Sequence, residues 1–285
     1  METAASQAPT KARWLRPFST ARLNLVWVSA LALALVLFLV VPLGAVIYRA
    51  ASSGAVAGYI GRPVVVEALR LSLVTSAIAV ALTIILGTPA AYLLARHRFP
   101  GHALLDTALD MPMVLPPAVA GVALLMTFGR RGILGAQLEA LGLHVAFSTA
   151  AVVMAQLFVA APFYVKAAKG GFEAVPPDLE SVSATLGASG LRTFLRVTVP
   201  LALPALLSGA VMSWARALGE FGATIMFAGN FQGRTQTMPL AIYQAMQSDF
   251  RAALVLSLFL TVTSFVVLVA FKALARRTTI GSYYA

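Results

Sequence analysis

Arg216 and Glu220 are the ionisable side chains set deepest in apolar surroundings in this 285-residue chain, within a run over roughly residues 203–227. Spaced four apart, they share one face of a helix and can pair. An ionised side chain at mid-bilayer costs about 2.5–3.5 kcal/mol on insertion scales, so such a residue faces the protein interior or a water-filled cavity. Two readings follow. Arg216, beside the small residues Ala217 and Gly219, helps shape a path for a divalent oxyanion; or the pair locks its helix to its neighbours, which Glu220 favours because a carboxylate repels an anion.

Other chemistry is scarce. The chain has no cysteine, which excludes disulfides, thiol nucleophiles and cysteine zinc sites. His97, His102 and His144 fall in two loops expected on opposite sides of a membrane, so no metal site is assigned. No nucleophile or acid pair lies at membrane depth, so no catalytic residue is assigned either. None of Lys11, Lys166, Lys169 and Lys272 follows a glycine. The phosphate-cradling G-x-x-x-x-G-K-[ST] loop is therefore absent, and any ATP must be hydrolysed by another polypeptide.

The elements that position these residues belong to a membrane protein. Hydrophobic residues make up 60% of the chain and charged residues 11%, against about 25% charged in ordinary soluble domains. A net charge of +11 raises nucleic-acid binding, but Lys and Arg sit in small groups between apolar runs rather than in one patch, which is a topology signal. A bilayer core takes about 20 mostly apolar residues per helix. Uncharged windows at 23–48, 71–95, 111–129, 145–165 and 252–271 qualify, and the apolar run at roughly 203–227, which carries Arg216 and Glu220, makes a sixth span. The first window exceeds the 7–15 residues of a signal-peptide core, so it is expected to remain as an anchor helix.

With the N-terminus inside, thirteen Lys and Arg fall on the cytoplasmic side, including Lys11, Arg13, Arg16, Arg22, Arg276 and Arg277, and seven fall outside. That asymmetry puts both termini in the cytoplasm. No alternating runs suggest a β-barrel, so the expected fold is all-α with six transmembrane helices. The expected divisions are a cytoplasmic segment 1–22, an additional N-terminal helix 23–49, a transmembrane domain 66–272 and a cytoplasmic tail 273–285.

Three features of the loops complete the reading. Asp106 and Asp110 open span three near the inner face, where they are expected to cap the helix or pair with Arg96 and Arg98. Pro112, Pro116 and Pro117 break hydrogen bonding in that span, making either a discontinuous helix beside a translocation path or a simple kink. Arg130 and Arg131, at the outer mouth, either attract anions or an acidic partner surface or form an ordinary interfacial pair.

The loop 166–200 is the longest internal cytoplasmic segment. Pro176, Pro177 and Asp178 start a helix there, with Asp178 as N-cap and Glu180 in the first turn. Leu179, Val182 and Leu186, then Leu191, Phe194 and Leu195, recur at helical spacing. Gly187 and Gly190 interrupt them, giving two short helices at a glycine elbow, and Pro200 and Pro204 mark the start of span five. On these grounds alone the loop is either an amphipathic segment resting on the membrane or a contact for a soluble partner.

The segment resembles the signature cytoplasmic loop of ABC importer permeases, whose pattern is E-A-A, three residues, Gly, nine residues, Ile, any residue, Leu, Pro. Ser181, Val182 and Ser183 stand at the E-A-A positions, followed by Gly187 and Ala188, then Val197, Val199 and Pro200. Ser181 replaces the acidic residue while Glu180 precedes it, which puts an acidic docking contact in question. The resemblance implies a type I ABC importer domain in which residues 178–189 form a coupling helix seated in a groove of a cytoplasmic ATPase subunit. ATP and magnesium would be bound there, and no cofactor by this chain.

Phe99-Pro100-Gly101, Leu104-Leu105-Asp106, Leu115-Pro116-Pro117, Gly129-Arg130-Arg131-Gly132 and residues 215–225 resemble the molybdate permeases, and the sulfate and thiosulfate permeases in a looser form. This implies a bacterial inner-membrane importer for molybdate or tungstate, with sulfate as the alternative. It further implies a homodimer of the permease, where sulfate permeases combine two different chains, and an extracytoplasmic oxyanion-binding protein. Pro116, Pro117, Arg216, Gly219 and Glu220 would then border the path. A channel or a carrier not driven by ATP would place ionisable relays along several helices, whereas deep charge here is confined to Arg216 and Glu220.

Overall fold

The computed structural model describes residues 25–281, with side chains over 27–273. The basic residues at 11, 13, 16 and 22, with the whole segment 1–22, lie outside the described residues, as do the side chains of Arg276 and Arg277. Every regular element among the described residues is helical. Residues up to Ala45 form one compact unit and those from Val46 another. In the first, α1 (Leu25–Ser52) begins, and its side chains from Trp27 to Ala45 are all exposed.

The second unit contains four further long apolar helices. They are α3 (Pro63–Arg96), α7 (Thr149–Glu173), the run ending in α10 (Val199–Leu218), and α13 (Phe250–Gly281). Between them lie α2 (Val56–Tyr59), α4 (His102–Val114), α5 (Pro117–Phe128), α6 (Gly135–Ala140), α8 (Pro177–Thr185), α9 (Gly190–Thr193), α11 (Gly222–Ala228) and α12 (Met238–Ser248). Among the described residues, five helices are long and apolar enough to span a bilayer, or six if α4 and α5 together make one span.

The break between α4 and α5 resolves the proline-rich span. The two segments meet at a bend of 116°, so this is a discontinuous helix and not a kink. Pro116 and Pro117 offer no N–H, and a residue before proline is pushed out of the helical region. Leu115 and Pro116 accordingly take extended ψ values of 134° each.

Span five departs from its expected limits at both ends. It does not run through to Phe227: α10 stops at Leu218 and α11 starts afresh at Gly222. Pro200 and Pro204 do not mark its start, because helical structure continues from Gly190 through a π turn at Phe194–Thr198 into α10. Val199 N–H bonds to Phe194 O, five residues back. Pro200 has no N–H to keep the four-residue ladder, and the wide turn shifts the register just before it.

The core forms around α7. Tyr164, Val165 and Phe172 of α7 pack with Val80 of α3 and Leu206 and Trp214 of α10. A second cluster joins Val152, Ala155 and Val159 of α7 to Ala120 and Leu124 of α5 and to Ala223 and Phe227 of α11. Lipid tails are as apolar as leucine, so helices in a bilayer associate through close packing, which small residues permit. Buried Ala151, Ala155, Ala160, Ala168 and Gly171 give α7 such a surface. A third cluster ties Val65 and Ala68 of α3 to Met238 of α12 and Leu256 of α13.

Candidate functional site

The loop 166–200 folds as the glycine elbow anticipated, with one correction. The N-cap of α8 is Pro176, and Pro177 is the first helical residue. A proline is well placed there because its missing N–H would be unpaired anyway. The helix thus starts two residues earlier than expected, and Asp178 is not its cap. Asp178 and Glu180 both lie in the first turn, where negative charge suits the helix dipole.

The far end of α8 closes in a left-handed turn. Gly187 has φ +84°, its N–H bonds to Ala184 O at 2.9 Å, and Ala188 N–H bonds to Ser183 O at 3.1 Å. This is the Schellman pair of bonds, which requires a residue at positive φ and so explains a glycine at that position of the motif. Ser189 then caps α9. Ser183 Oγ lies 2.9 Å from Thr193 Oγ1, fastening α8 to α9. Leu179, Val182 and Leu186 are exposed, leaving α8 an uncovered apolar face. Ser181 is also exposed, while Val197 sits in the π turn and Pro200 in the first turn of α10.

Glu180 faces inward rather than toward a partner. Its Oε1 accepts from Arg96 Nη2 at 2.9 Å and from Thr198 Oγ1 at 2.7 Å. The sequence offered no local signal for this, because Arg96 lies 84 residues away at the end of α3. With Arg96 so engaged, Asp106 and Asp110 take other partners than expected. Because α4 runs beside α7, Asp106 pairs with Lys169 at 2.8 Å and Asp110 with Lys166 at 2.9 Å. Neither aspartate caps α4, whose N-cap is Gly101.

At the other candidate site, Arg216 lies in the last turn of α10, Gly219 caps that helix, and Glu220 lies in the break. Arg216 Nη1 and Glu220 Oε2 are 2.6 Å apart, an ion pair without the direction of a hydrogen bond. Glu220 is 1% exposed and its Oε1 accepts from Ala223 N–H at 2.7 Å. The carboxylate therefore satisfies a backbone donor at the start of α11 while neutralising Arg216. Its burial demands both partners, because an isolated ion in low dielectric is far costlier.

The two helix breaks meet. A Cβ at Gly222 would stand 2.7 Å from Pro117 Cβ, and one at Gly121 would stand 2.7 Å from Ala223 O. Glycine at these points is what lets α5 and α11 approach so closely. The structure thus brings Pro116 and Pro117 together with the Gly219–Glu220 break, while Arg96 and Glu180 form a separate centre. Next to the junction, Gln156 of α7 and Thr224 of α11 are buried without hydrogen-bond partners, and neither stood out in the sequence.

Arg130 and Glu139 approach at 4.0 Å on an exposed surface, a contact of little energetic weight. His102 Nε2 lies 2.9 Å from Leu94 O, a local backbone contact. Together these side chains give an exposed apolar helix face, a bonded route from that helix into the bundle, and a neutralised charge at a junction of two broken helices.

Comparison with known proteins gives this arrangement its context. A family model described as the inner membrane component of binding-protein-dependent transport systems matches residues 83–280. The molybdenum transport system permease protein of Mycobacterium tuberculosis is 44% identical over 256 residues, covering 90% of this chain and 96% of that protein. The sulfate transport system permease protein of Synechococcus elongatus is 37% identical over 226 residues, 78% of each chain. Among solved structures, a chain of a bacterial ABC transporter involved in alginate import superposes with a TM-score of 0.71 at 14% identity, covering 89% of this chain and 96% of that one. The last likeness establishes the fold alone: an all-helical architecture shared with that chain.

Proposed function

Because the chain belongs to the family of inner membrane components of binding-protein-dependent transport systems, we propose that it is the permease subunit of an ATP-driven importer of molybdate or its congener tungstate. The observation that carries this reading is the 44% identity to a molybdenum permease across 90% of the chain. Two copies pair around the path, both termini face the cytoplasm, and the protein resides in a bacterial inner membrane. Residues 66–272 form the transport domain, and 23–49 form an additional N-terminal transmembrane helix.

The uncovered face of α8 receives a cytoplasmic ATPase subunit, which binds ATP and magnesium. An extracytoplasmic oxyanion-binding protein delivers the cargo. Sulfate is the second reading, supported by the 37% identity to a sulfate permease. The deciding experiment purifies the complex with its binding protein, reconstitutes it in liposomes and measures ATP-dependent uptake of labelled molybdate and labelled sulfate. Uptake of molybdate with sulfate excluded supports the proposal. A second, different permease chain in the complex together with preferred sulfate uptake overturns it.

Arg216 is given a part in the path on the strength of its incomplete burial, 28% exposed beside a fully buried Glu220. The double variant Arg216→Ala with Glu220→Gln removes both charges and leaves no lone buried carboxylate. Reduced molybdate uptake at normal assembly and ATPase activity is the expected result; undiminished uptake makes the pair purely structural.

A further inference from the structure

Arg96 enters none of the roles assigned so far, yet it holds the loop on which the transport reading depends. Both Nε and Nη2 donate to Glu180 Oε1, at 3.2 and 2.9 Å, and Nη2 also donates to Val175 O at 2.9 Å. The same carboxylate oxygen accepts from Thr198 Oγ1 at 2.7 Å. Arg96 and Glu180 side chains are 11% and 19% exposed. One oxygen therefore joins the end of α3, the first turn of α8 and the π turn that feeds α10, and the guanidinium adds the turn before α8.

The surroundings keep this junction ordered. Tyr92, one turn before Arg96 on α3, meets Phe172 of α7 and Phe194 of the π turn edge-on, with ring centroids 5.5 and 4.9 Å apart. This aromatic layer lies against the charged groups and limits water. Hydrogen bonds to ionised groups are about twice as strong as neutral ones, and low local dielectric strengthens them further.

A helix as short as α8 is not stable by itself in water. It is covalently attached through a glycine turn at one end and a proline pair at the other, so its tertiary bonds decide where a push on its exposed face goes. Besides the Ser183–Thr193 contact with α9, the bonds available run through Glu180 to α3 and to Thr198, immediately before α10. Both of those helices pack on α7.

We infer that Arg96, Glu180 and Thr198 form a strut that makes α8 move as one body with α3 and α10, with Arg96 as its positioning residue. Glu180 is then an internal anchor, and the ATPase subunit contacts the apolar face of α8 instead. The inference rests on the importer reading above and adds the residues through which the stroke is delivered.

The test reconstitutes the full chain with its ATPase subunit and binding protein in liposomes, and measures molybdate imported per ATP hydrolysed. Arg96→Ala is expected to lower this ratio by about tenfold, the scale of losing a charge-assisted hydrogen bond, while the ATPase subunit still co-purifies. Arg96→Lys, which keeps the charge with fewer directed donors, is expected to fall between. A purely structural role would reduce the amount of folded complex and leave the ratio unchanged, and that result overturns the strut.

Should Arg96→Ala fail to assemble, the near-isosteric Glu180→Gln and the Thr198→Val variants decide, and wild-type ratios in both overturn it equally. A wild-type complex that hydrolyses ATP but imports no oxyanion defeats the importer reading, and the strut with it. Normal wild-type import with an unaltered ratio in the variants defeats the strut alone.

Discussion

Two of the arginine–glutamate pairs among the described residues, those made by Arg216 and by Arg96, are built in opposite ways. Arg216 and Glu220 are neighbours in sequence, four residues apart, and meet across the end of a helix. Arg96 and Glu180 are separated by 84 residues and meet only because α3 and α8 are folded against each other. The first pair neutralises charge at a break in the bundle, where Glu220 is almost wholly enclosed. The second ties a surface helix to the bundle and remains partly wetted. A local pair secures local geometry, whereas a distant pair transmits position between elements.

The largest effect that would test this contrast is on stability. Arg216→Ala leaves Glu220 buried without a counter-ion and should cost about 3–5 kcal/mol, read as a lower midpoint of thermal unfolding in lipid nanodiscs. Adding Glu220→Gln should return most of it. Glu180→Ala, at a partly exposed site, should cost less, about 1.5–3 kcal/mol. An equal or larger loss at Glu180 would break the contrast.

The glycines of the two regions sharpen it. Gly222→Val forces side-chain atoms into the contact with Pro117 and should cost about 1–3 kcal/mol by overpacking. Gly187→Ala meets no neighbour within 4 Å but must hold a φ of +84°, for about 1–2 kcal/mol. Replacing Gly187 by Asn should recover part of the loss, since Asn tolerates that conformation, and no such rescue is expected at Gly222. Denaturation midpoints of the four variants provide the comparison.

The smallest effect concerns a third tie, between Tyr59 and Asp249 outside the spanning helices. The hydrogen bond from Tyr59 holds the Asp249 carboxyl below its ordinary 3.8, and the same bond raises the Tyr59 phenol above 10.0. A depressed carboxyl stabilises the fold above its unfolded pKa, and that contribution disappears as pH falls through the lower folded value. A raised phenol stabilises below its unfolded pKa and loses its contribution as pH climbs past the folded value. Tyr59→Phe should lower the thermal midpoint slightly between pH 3.8 and pH 10.0, where both contributions are present, and the difference from wild type should shrink below and above that window. A pH profile identical to wild type removes this tie from the account.

Much of the molecule was legible without coordinates because its signals are local. The apolar windows, the glycine elbow with Gly187, the stall at Pro116 and Pro117, and the four-residue spacing of Arg216 and Glu220 all follow from helical period and backbone chemistry. The errors share a cause as well. Asp178 was expected at the cap because a capping residue type followed two prolines, but Pro177 is itself a good first helical residue. Span five was read through to Phe227 because its composition stays apolar across Gly219 to Gly222, although the backbone turns there to meet α5.

The sequence by itself determined that this is a multi-span membrane protein with a long amphipathic loop between two of its spans, since hydrophobic length and residue spacing are properties of consecutive residues. Only the tertiary structure decided what the charges do. Lys166 and Lys169 claim Asp110 and Asp106, Arg96 claims Glu180, and the break before α11 is set against Pro117. Each of those pairings depends on which helices lie side by side, and that is settled by the packing of small residues along α7, not by any spacing along the chain.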